Sequence, residues 1–170
     1  MSFGSAGNGA VNHLAGEWFK HEAKLDAVHV PYRSDAAVVT DLIAGRLDFA
    51  FLAGTVALPQ VKSGKMRMLA SASAKPGLGG EGVPTLGTRF KGFATEPWNG
   101  LMAPAGLPQP IVTKLNAAIN EIMSRPDVVA RLANTEQFPL TGTPQQFTDH
   151  IKSQTERWAM VIKTSNIKID

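Results

Sequence analysis

The stretch SFGSAGNGAVNHLAGEWF, residues 2–19, decides the fold. Its beginning, Ser2 to Ala6, predicts a short strand, and the glycines that follow break that strand. Apolar residues then recur at the spacing of one helical face, at Val11, Leu14, Ala15, Trp18 and Phe19. A strand, a glycine turn and an amphipathic helix in this order begin a parallel β–α–β unit.

The same alternation continues through the first hundred residues. Further strands are predicted over Val28 to Tyr32, Leu47 to Leu52 and Met66 to Ala72. Helices are predicted from Ala36 to Ile43, with Gly45 as a left-handed C-terminal cap, and from Thr55 to Val61. The sequence therefore predicts an α/β fold with parallel strand pairing.

The character of the sequence changes between Ser73 and Glu96. This stretch is rich in turn residues, namely Pro76, Gly77, Gly79, Gly80, Gly82 and Pro84, and we expect a boundary near its end. After it, Trp98 to Pro104 is a strand candidate. The apolar face of Ile111, Leu115, Ala118, Ile119 and Ile122 predicts a helix that ends by Pro126, and a short helix follows around Val128 to Leu132.

The last predicted helix has the clearest start signal in the chain. Thr143 is a suitable N-cap, Pro144 suits the first helical position, and Gln146 completes a capping box. An apolar stripe predicts that this helix continues to about Thr164.

Composition excludes several functional classes. The 170 residues are 44% hydrophobic and 18% charged, as in an ordinary globular protein, and the absence of cysteine excludes disulfides and thiolate catalysis. Basic residues are scattered, so we expect no nucleic-acid binding. The chain as given shows no export signal and begins abruptly with a core strand, and we interpret this start as a cut inside a longer parent sequence.

The loop Gly4-Ser5-Ala6-Gly7-Asn8-Gly9 is the sharpest local feature. Glycines let the backbone approach a ligand closely, and the first amides of the following helix attract an anion. The loop has neither the Lys-Ser/Thr pair of a P-loop nor the glycine spacing of a dinucleotide-binding fingerprint. Taken alone, the spacing leaves two interpretations open, an anion cradle and a plain tight turn.

Other polar residues are predicted at the ends of parallel strands, where open α/β sheets bind ligands: His13, Tyr32, Ser34, Asp35 and Thr55. The alternative is that Ser34 and Asp35 merely cap a helix and that His13 is packed or solvated. No histidine shows zinc-ligand spacing, and we expect no catalytic residue, no metal and no cofactor. A small hydrolase that uses Ser5 and His13 remains a further alternative.

Many short motifs in order resemble one family, the tripartite tricarboxylate transporter receptors, or Bug proteins. The main ones are Ser5-Ala6-Gly7-Asn8-Gly9, His13-Leu14, His29-Val30-Pro31-Tyr32, Asp41-Leu42, Gly64-Lys65, Val83-Pro84-Thr85, Trp98-Asn99-Gly100-Leu101, Ala103-Pro104-Ala105-Gly106 and Lys114-Leu115-Asn116. The resemblance implies a type II periplasmic-binding-protein-like lobe with a parallel-rich sheet, plus the C-terminal part of a second lobe. Residues 1–97 would be the ligand-binding lobe, the family's middle domain. Residues 98–170 would supply the crossing strand and C-terminal helices of the other, incomplete lobe, the chain being N-terminally truncated.

The resemblance also implies a periplasmic receptor that binds a small mono- or dicarboxylate and delivers it to membrane transporter subunits. Ser5, Gly7, Asn8 and Gly9 would donate to the ligand carboxylate, and Tyr32 would line the cleft. His13, Ser34 and Thr55 complete the predicted ligand-binding set. Ala10 departs from the family's frequent serine or threonine, and Ser34 from its usual glycine. The alternative is a truncated paralogue that acts as a dimeric interaction module without ligand, pairing through the exposed surface of the incomplete lobe.

Overall fold

The computed structural model describes residues 1–74, 80–135 and 137–168. Over these residues the elements are β1 (Ser2–Ser5), α1 (Val11–Ala23), β2 (Val28–Pro31), α2 (Asp35–Ile43), β3 (Phe49–Ala50), α3 (Gly54–Lys62), α4 (Leu86–Arg89), α5 (Gln109–Ser124), α6 (Pro126–Ala133) and α7 (Pro144–Thr164). None of the helices in this part of the chain is both long enough and apolar enough to cross a bilayer.

The chain divides into two compact units. The first comprises Met1–Pro97 and Ala159–Asp170, and the second Trp98–Trp158. The sequence assigned residues 98–170 to a single lobe, whereas the segment from Ala159 onward groups with the first unit. Helix α7 is continuous across this division, and its apolar stripe gives no sign of the change.

The first unit is built on a three-stranded parallel sheet in the order β2-β1-β3. Phe3 lies opposite His29 on one side and Phe49 on the other. Parallel neighbours need crossover connections, and α1 and α2 supply them. The predicted α/β architecture with parallel pairing is confirmed.

The two faces of the central strand carry different helices. Side chains alternate along a strand, so Phe3 and Gly4 point to opposite faces. Phe3 is 0% exposed and packs under α1, where a Cβ on Gly16 would lie 2.1 Å from its ring. A Cβ on Gly4 would lie 2.8 Å from Val38 of α2. Both helices therefore pack directly against β1.

An aromatic cluster extends the core on the α1 side. Trp18 stacks on Phe93 with ring centroids 4.3 Å apart, and Phe19 contacts Phe49 and Phe51 edge to face. Trp18 and Phe19, which belong to the predicted apolar face of this helix, therefore pack in the core. Burying rings of this size is worth about 1.5–3 kcal/mol each.

Two predicted strands do not form. Residues 66–72 contribute only an isolated parallel bridge between Ser71 and Thr85, and residues 98–104 have no regular structure. A strand exists only where a neighbour accepts its backbone hydrogen bonds. Leu101 and Met102 instead lie exposed at 64% and 65%. Residues 75–79 of the predicted loop-rich connection, with Pro76, Gly77 and Gly79, lie outside the described residues.

The second unit is helical in its described part. The predicted capping box at the start of α7 is confirmed, since Thr143 Oγ1 accepts from the Gln146 amide (3.2 Å) and Gln146 Oε1 accepts from the Thr143 amide (2.8 Å). Trp98 meets Phe147 edge to face at 5.5 Å. On α5, Asn120 holds Gly142 through both its amide and its carbonyl at 2.9 Å.

Candidate functional site

The parallel sheet brings the predicted site segments to one edge. The Ser5–Gly9 loop (residues 5–9) follows β1, Tyr32 and Ser34 follow β2, and Thr55 follows β3. Because the strands are parallel, their carboxyl ends share an edge of the sheet, where open α/β sheets bind ligands. The helices α1, α2 and α3 all begin there.

The amides of the Ser5–Gly9 loop already have partners within the protein. The Gly7 amide donates to Ser5 Oγ (3.2 Å) and the Gly9 amide to His13 Nδ1 (3.0 Å). The Ala6 amide donates to Asn12 Oδ1 at 3.2 Å, and the Ala10 amide to the Gly7 carbonyl at 3.2 Å. The predicted role of the Gly7 and Gly9 amides as open donors is therefore not what the structure shows.

Glycine is required in this loop for conformational reasons. Gly7 has φ +129° and Gly9 has φ +76°, both in the region that other residues avoid. These angles turn the chain sharply between β1 and α1, so that the side chains of Ser5 and His13 reach the loop's own amides.

The N-terminus of α1 lacks a capping side chain. Ala10 stands at the N-cap with extended φ and ψ of −64° and 153°, and the first turn contains no acidic residue. The first helical amides have no partner inside a helix; here the amide of Leu14 donates back to the Ala10 carbonyl at 3.0 Å. The amides of Val11, Asn12 and His13, together with the positive end of the helix dipole, form the electropositive part of the site.

Behind the loop lies a cluster of one serine and two histidines, in which Ser5 and His13 are buried and His29 is half-buried. Ser5 Oγ is 2.6 Å from His29 Nε2, and the His29 ring stacks on the His13 ring at 3.9 Å. Ser5 is 0% exposed and His13 is 4% exposed. Burial lowers the pKa of His29 to about 4, with a further contribution from His13, and burial likewise lowers the pKa of His13.

A pocket of about 330 Å³ opens beside this cluster. It is lined by Asn8, His13, Glu17, His29, Asn166 and Lys168. Glu17 forms an ion pair with Lys20 at 2.9 Å, which offsets its charge. Lys168, in the segment that follows α7, adds a positively charged side chain to the lining of the pocket.

Tyr32, Ser34 and Thr55 lie at the predicted edge but have other contacts. The Tyr32 hydroxyl donates to Asp41 Oδ2 at 2.8 Å, and Arg46 donates to the other carboxylate oxygen at 2.8 Å. The hydrogen bond to Asp41 raises the pKa of Tyr32. Ser34 is the N-cap of α2, accepting from the Ala37 amide, as the structural alternative anticipated, and Thr55 is exposed in the first turn of α3.

Sequence reasoning missed three residues that shape the site, Asn12, His29 and Lys168. Asn12 joins the loop to α2, accepting from Ala6 and donating to Asp35 Oδ1 at 2.7 Å. In the sheet, His29 lies opposite Phe3, and paired residues of adjacent parallel strands point to the same face. Aligning the two predicted strands would therefore have placed His29 on the face of Phe3. Nothing in the sequence pattern indicated Lys168.

A parallel sheet, a glycine loop after its central strand and a helix start without a side-chain cap are the features expected of one lobe of the periplasmic-binding-protein fold. A family model described as tripartite tricarboxylate transporter family receptor matches residues 1–167, and the chain belongs to this family. The family resemblance read from the short motifs is thereby confirmed.

Similar proteins cover the chain almost completely. The UPF0065 protein in the tcbD-tcbE intergenic region of Pseudomonas sp. strain P51 is 35% identical over 95% of the chain and 49% of its own length. A solved R. palustris protein with adipate has a TM-score of 0.91 at 29% identity, covering 98% of this chain and 56% of its own. MatC from Rhodopseudomonas palustris, solved with bound malate, has a TM-score of 0.80 at 27% identity, covering 95% and 56%. The chain thus spans about half the length of these proteins.

The family consists of receptors rather than enzymes, as the sequence predicted. In the structure the imidazole within reach of Ser5 Oγ belongs to His29 and not to His13, and Ser5 is fully buried. The alternative of a hydrolase that uses Ser5 and His13 is therefore not supported.

Proposed function

We propose that this chain supplies the carboxylate-binding surface of a periplasmic solute receptor, which binds a small mono- or dicarboxylate for a tripartite tricarboxylate-type transporter. The observation that carries the proposal is the start of α1, which has no side-chain cap and stands at the carboxyl edge of the parallel sheet. A ligand carboxylate there takes the place of the missing cap.

The amides of Val11 and Asn12 are the donors we assign to the ligand, in place of the occupied Gly7 and Gly9 amides. The helix dipole adds about 0.3–1 kcal/mol for an anion at this position. Ordered water bridges the remaining carboxylate oxygens, at little cost in affinity. Asn8, His13 and Lys168 line the pocket beside the same loop, and Lys168 brings a positive charge to it.

The solved relatives support this ligand class. Adipate and malate, the molecules named for the two R. palustris proteins, are both dicarboxylates. The chain matches only 56% of either protein, so we expect the remaining part of such a receptor to supply the other carboxylate's contacts. Closure of that part over the ligand would shift the population toward the form that the transporter recognises.

The experiment is a calorimetric titration with adipate, malate and acetate, using a variant that deletes one amide. Val11→Pro removes the first helical N–H, and proline fits because it is favoured at this position and Ala10 already has extended angles. Loss of one hydrogen bond to a charged group should weaken binding by roughly 10–100-fold. Val11→Ala shortens the same exposed side chain but retains the amide, so it measures how much of the change in affinity comes from the side chain alone.

Two results would count against the proposal. One is the absence of binding of any of the three acids at millimolar concentration. The other is equal affinity of Val11→Pro and Val11→Ala, which would mean that the ligand does not use the start of α1.

A second candidate function is a homodimeric interaction module without ligand. The apolar face of α5 favours it, because Ile111, Leu115 and Ile122 are all exposed on one side of that helix. Size-exclusion chromatography with light scattering tests it: a dimer that Leu115→Glu dissociates would support this function. A monomer at micromolar concentration that binds a carboxylate would eliminate it.

A further inference from the structure

Two stacked imidazoles lie directly behind the Ser5–Gly9 loop, and each is joined to one loop amide. Nδ1 of His13 accepts a hydrogen bond from the Gly9 amide at 3.0 Å. The ring of His29 reaches Ser5 Oγ at 2.6 Å, and this oxygen accepts the Gly7 amide at 3.2 Å. The rings themselves are 3.9 Å apart and nearly parallel, at 20°.

The Gly9 contact fixes the protonation state of His13. An N–H group donates, so the ring nitrogen that receives it must present a lone pair. Nδ1 of His13 therefore carries no proton, the ring is neutral, and its single proton lies on Nε2. If Nδ1 of His13 were protonated, its N–H would face the N–H of Gly9, and the hydrogen bond between them would be lost.

The hydrogen bonds of His29 leave the direction of its contact with Ser5 open. Ser5 Oγ lies 3.0 Å from the Gly7 carbonyl, which can only accept, so the Ser5 hydroxyl proton goes either there or to His29 Nε2. Both arrangements accommodate a neutral His29. Charge on both rings at once would place two cations 3.9 Å apart, which disfavours double protonation.

We propose that His13 and His29 are positioning residues for the Ser5–Gly9 loop, holding it in one conformation only while the His13 ring is neutral, so that acidification releases the loop and with it the ligand. The loss of ligand rests on the proposed function. The release of the loop does not.

The charged groups around the pair act in opposite directions. On α1, Glu17 favours protonation of both rings, and Lys20 opposes it. Lys168, from the segment after α7, lines the same pocket, and for His29 a charge on His13 also opposes protonation. Burial dominates for both rings, which keeps the pair neutral at neutral pH and places the release on the acid side of the ordinary histidine range.

The direct experiment follows the loop without ligand. Nitrogen-15 NMR of the full chain from about pH 8 to about pH 4.5 reports the tautomer of each ring and the exchange protection of the Gly9 amide. We expect His13 to carry its proton on Nε2 at the upper pH. After correction for intrinsic exchange, Gly9 protection should fall at least about tenfold on acidification, while amides in the interior of α1 stay protected.

Two substitutions separate positioning from general packing. His13→Asn places a carboxamide oxygen near the position of Nδ1 and cannot be protonated, so Gly9 protection should be restored and become independent of pH. His13→Leu keeps apolar bulk without an acceptor, so Gly9 should exchange rapidly throughout the range. If either variant fails to fold, the wild-type titration alone decides.

The inference is overturned if His13 carries its proton on Nδ1, or if Gly9 protection does not change until α1 itself unfolds. Titration with adipate at both ends of the pH range then distinguishes the two proposals. Absence of binding at about pH 8 rejects the proposed function and leaves the loop result standing. Binding that is equally tight at both pH values rejects the coupling of the loop to the ligand.

Discussion

Gly16→Ala tests the close approach of α1 to the central strand of the sheet. At an open helical site this change would stabilise the protein by about 1 kcal/mol, since alanine is the better helix former. At Gly16 the new methyl group would lie 2.1 Å from Cε2 and 2.5 Å from Cδ2 of Phe3. Carbon atoms in contact prefer about 3.5–4.0 Å, so the ring or the helix must move by more than about 1 Å.

The ring has little room to move. Phe3 is fully buried, with the rings of His29 at 5.0 Å and Phe49 at 5.4 Å. Overpacking a filled core costs about 1–3 kcal/mol, and contacts this short lie at the upper end of that range. After the gain in helix propensity, we expect Gly16→Ala to lower the free energy of unfolding by about 2 kcal/mol.

The assay is urea denaturation followed by tryptophan fluorescence, with Phe3→Leu as the partner substitution. Leucine removes the ring atoms that the new methyl group would meet, so the double variant should be more stable than the sum of the two single changes by about 1–3 kcal/mol. If Gly16→Ala raises stability by about 1 kcal/mol, as at an exposed helical site, then α1 does not pack directly against Phe3 and the reasoning is refuted.

Three further predictions follow from individual contacts. Asp41→Asn should lower the pKa of Tyr32 toward its ordinary value, because the carboxylate that accepts its hydroxyl proton is lost; Tyr32 is the only tyrosine, so phenolate absorbance measures it directly, and an unchanged titration would refute the contact. Thr143→Ala should cost about 1 kcal/mol through loss of the cap while Thr143→Ser costs little, and equal stabilities by urea denaturation would contradict the capping box. The free energy of unfolding should decrease as pH falls from about 6.5 toward 4, because the unfolded chain binds protons that His13 and His29 do not bind in the folded state. For His29, whose pKa is about 4, this loss is at most about 3 kcal/mol, reduced by partial exposure of its ring to solvent; a flat profile in urea denaturation would refute it.

The local elements of the fold were largely predictable from the sequence. The strand at Ser2, the stripe that begins at Val11 and the capping box at Thr143 each depend on neighbouring residues, and each formed as expected. The strand predicted from Met66 to Ala72 failed because strand formation depends on a partner elsewhere in the chain. The pattern of one segment contains no information about that partner.

The candidate site was predictable in position but not in its hydrogen bonding. Glycine spacing and strand ends correctly placed Ser5 to Gly9 before a helix at the carboxyl edge of the sheet. Whether a loop amide faces solvent or a side chain depends on distances of a few tenths of an ångström. The hydrogen bond from the Gly9 amide to His13 depends on the particular turn that Gly7 and Gly9 form. The residue types in the loop do not specify that turn.

The stacking of Trp18 on Phe93 and the edge-to-face contact of Trp98 with Phe147 provide each unit with its own optical reporter. The chain has three tryptophans, and Trp18 is the one in the first unit, while Trp98 and Trp158 belong to the second. Replacing the latter two with phenylalanine would leave an emission that reports only the unit carrying the glycine loop. Fluorescence during refolding could then show whether that unit acquires its structure before, with or after the helical one.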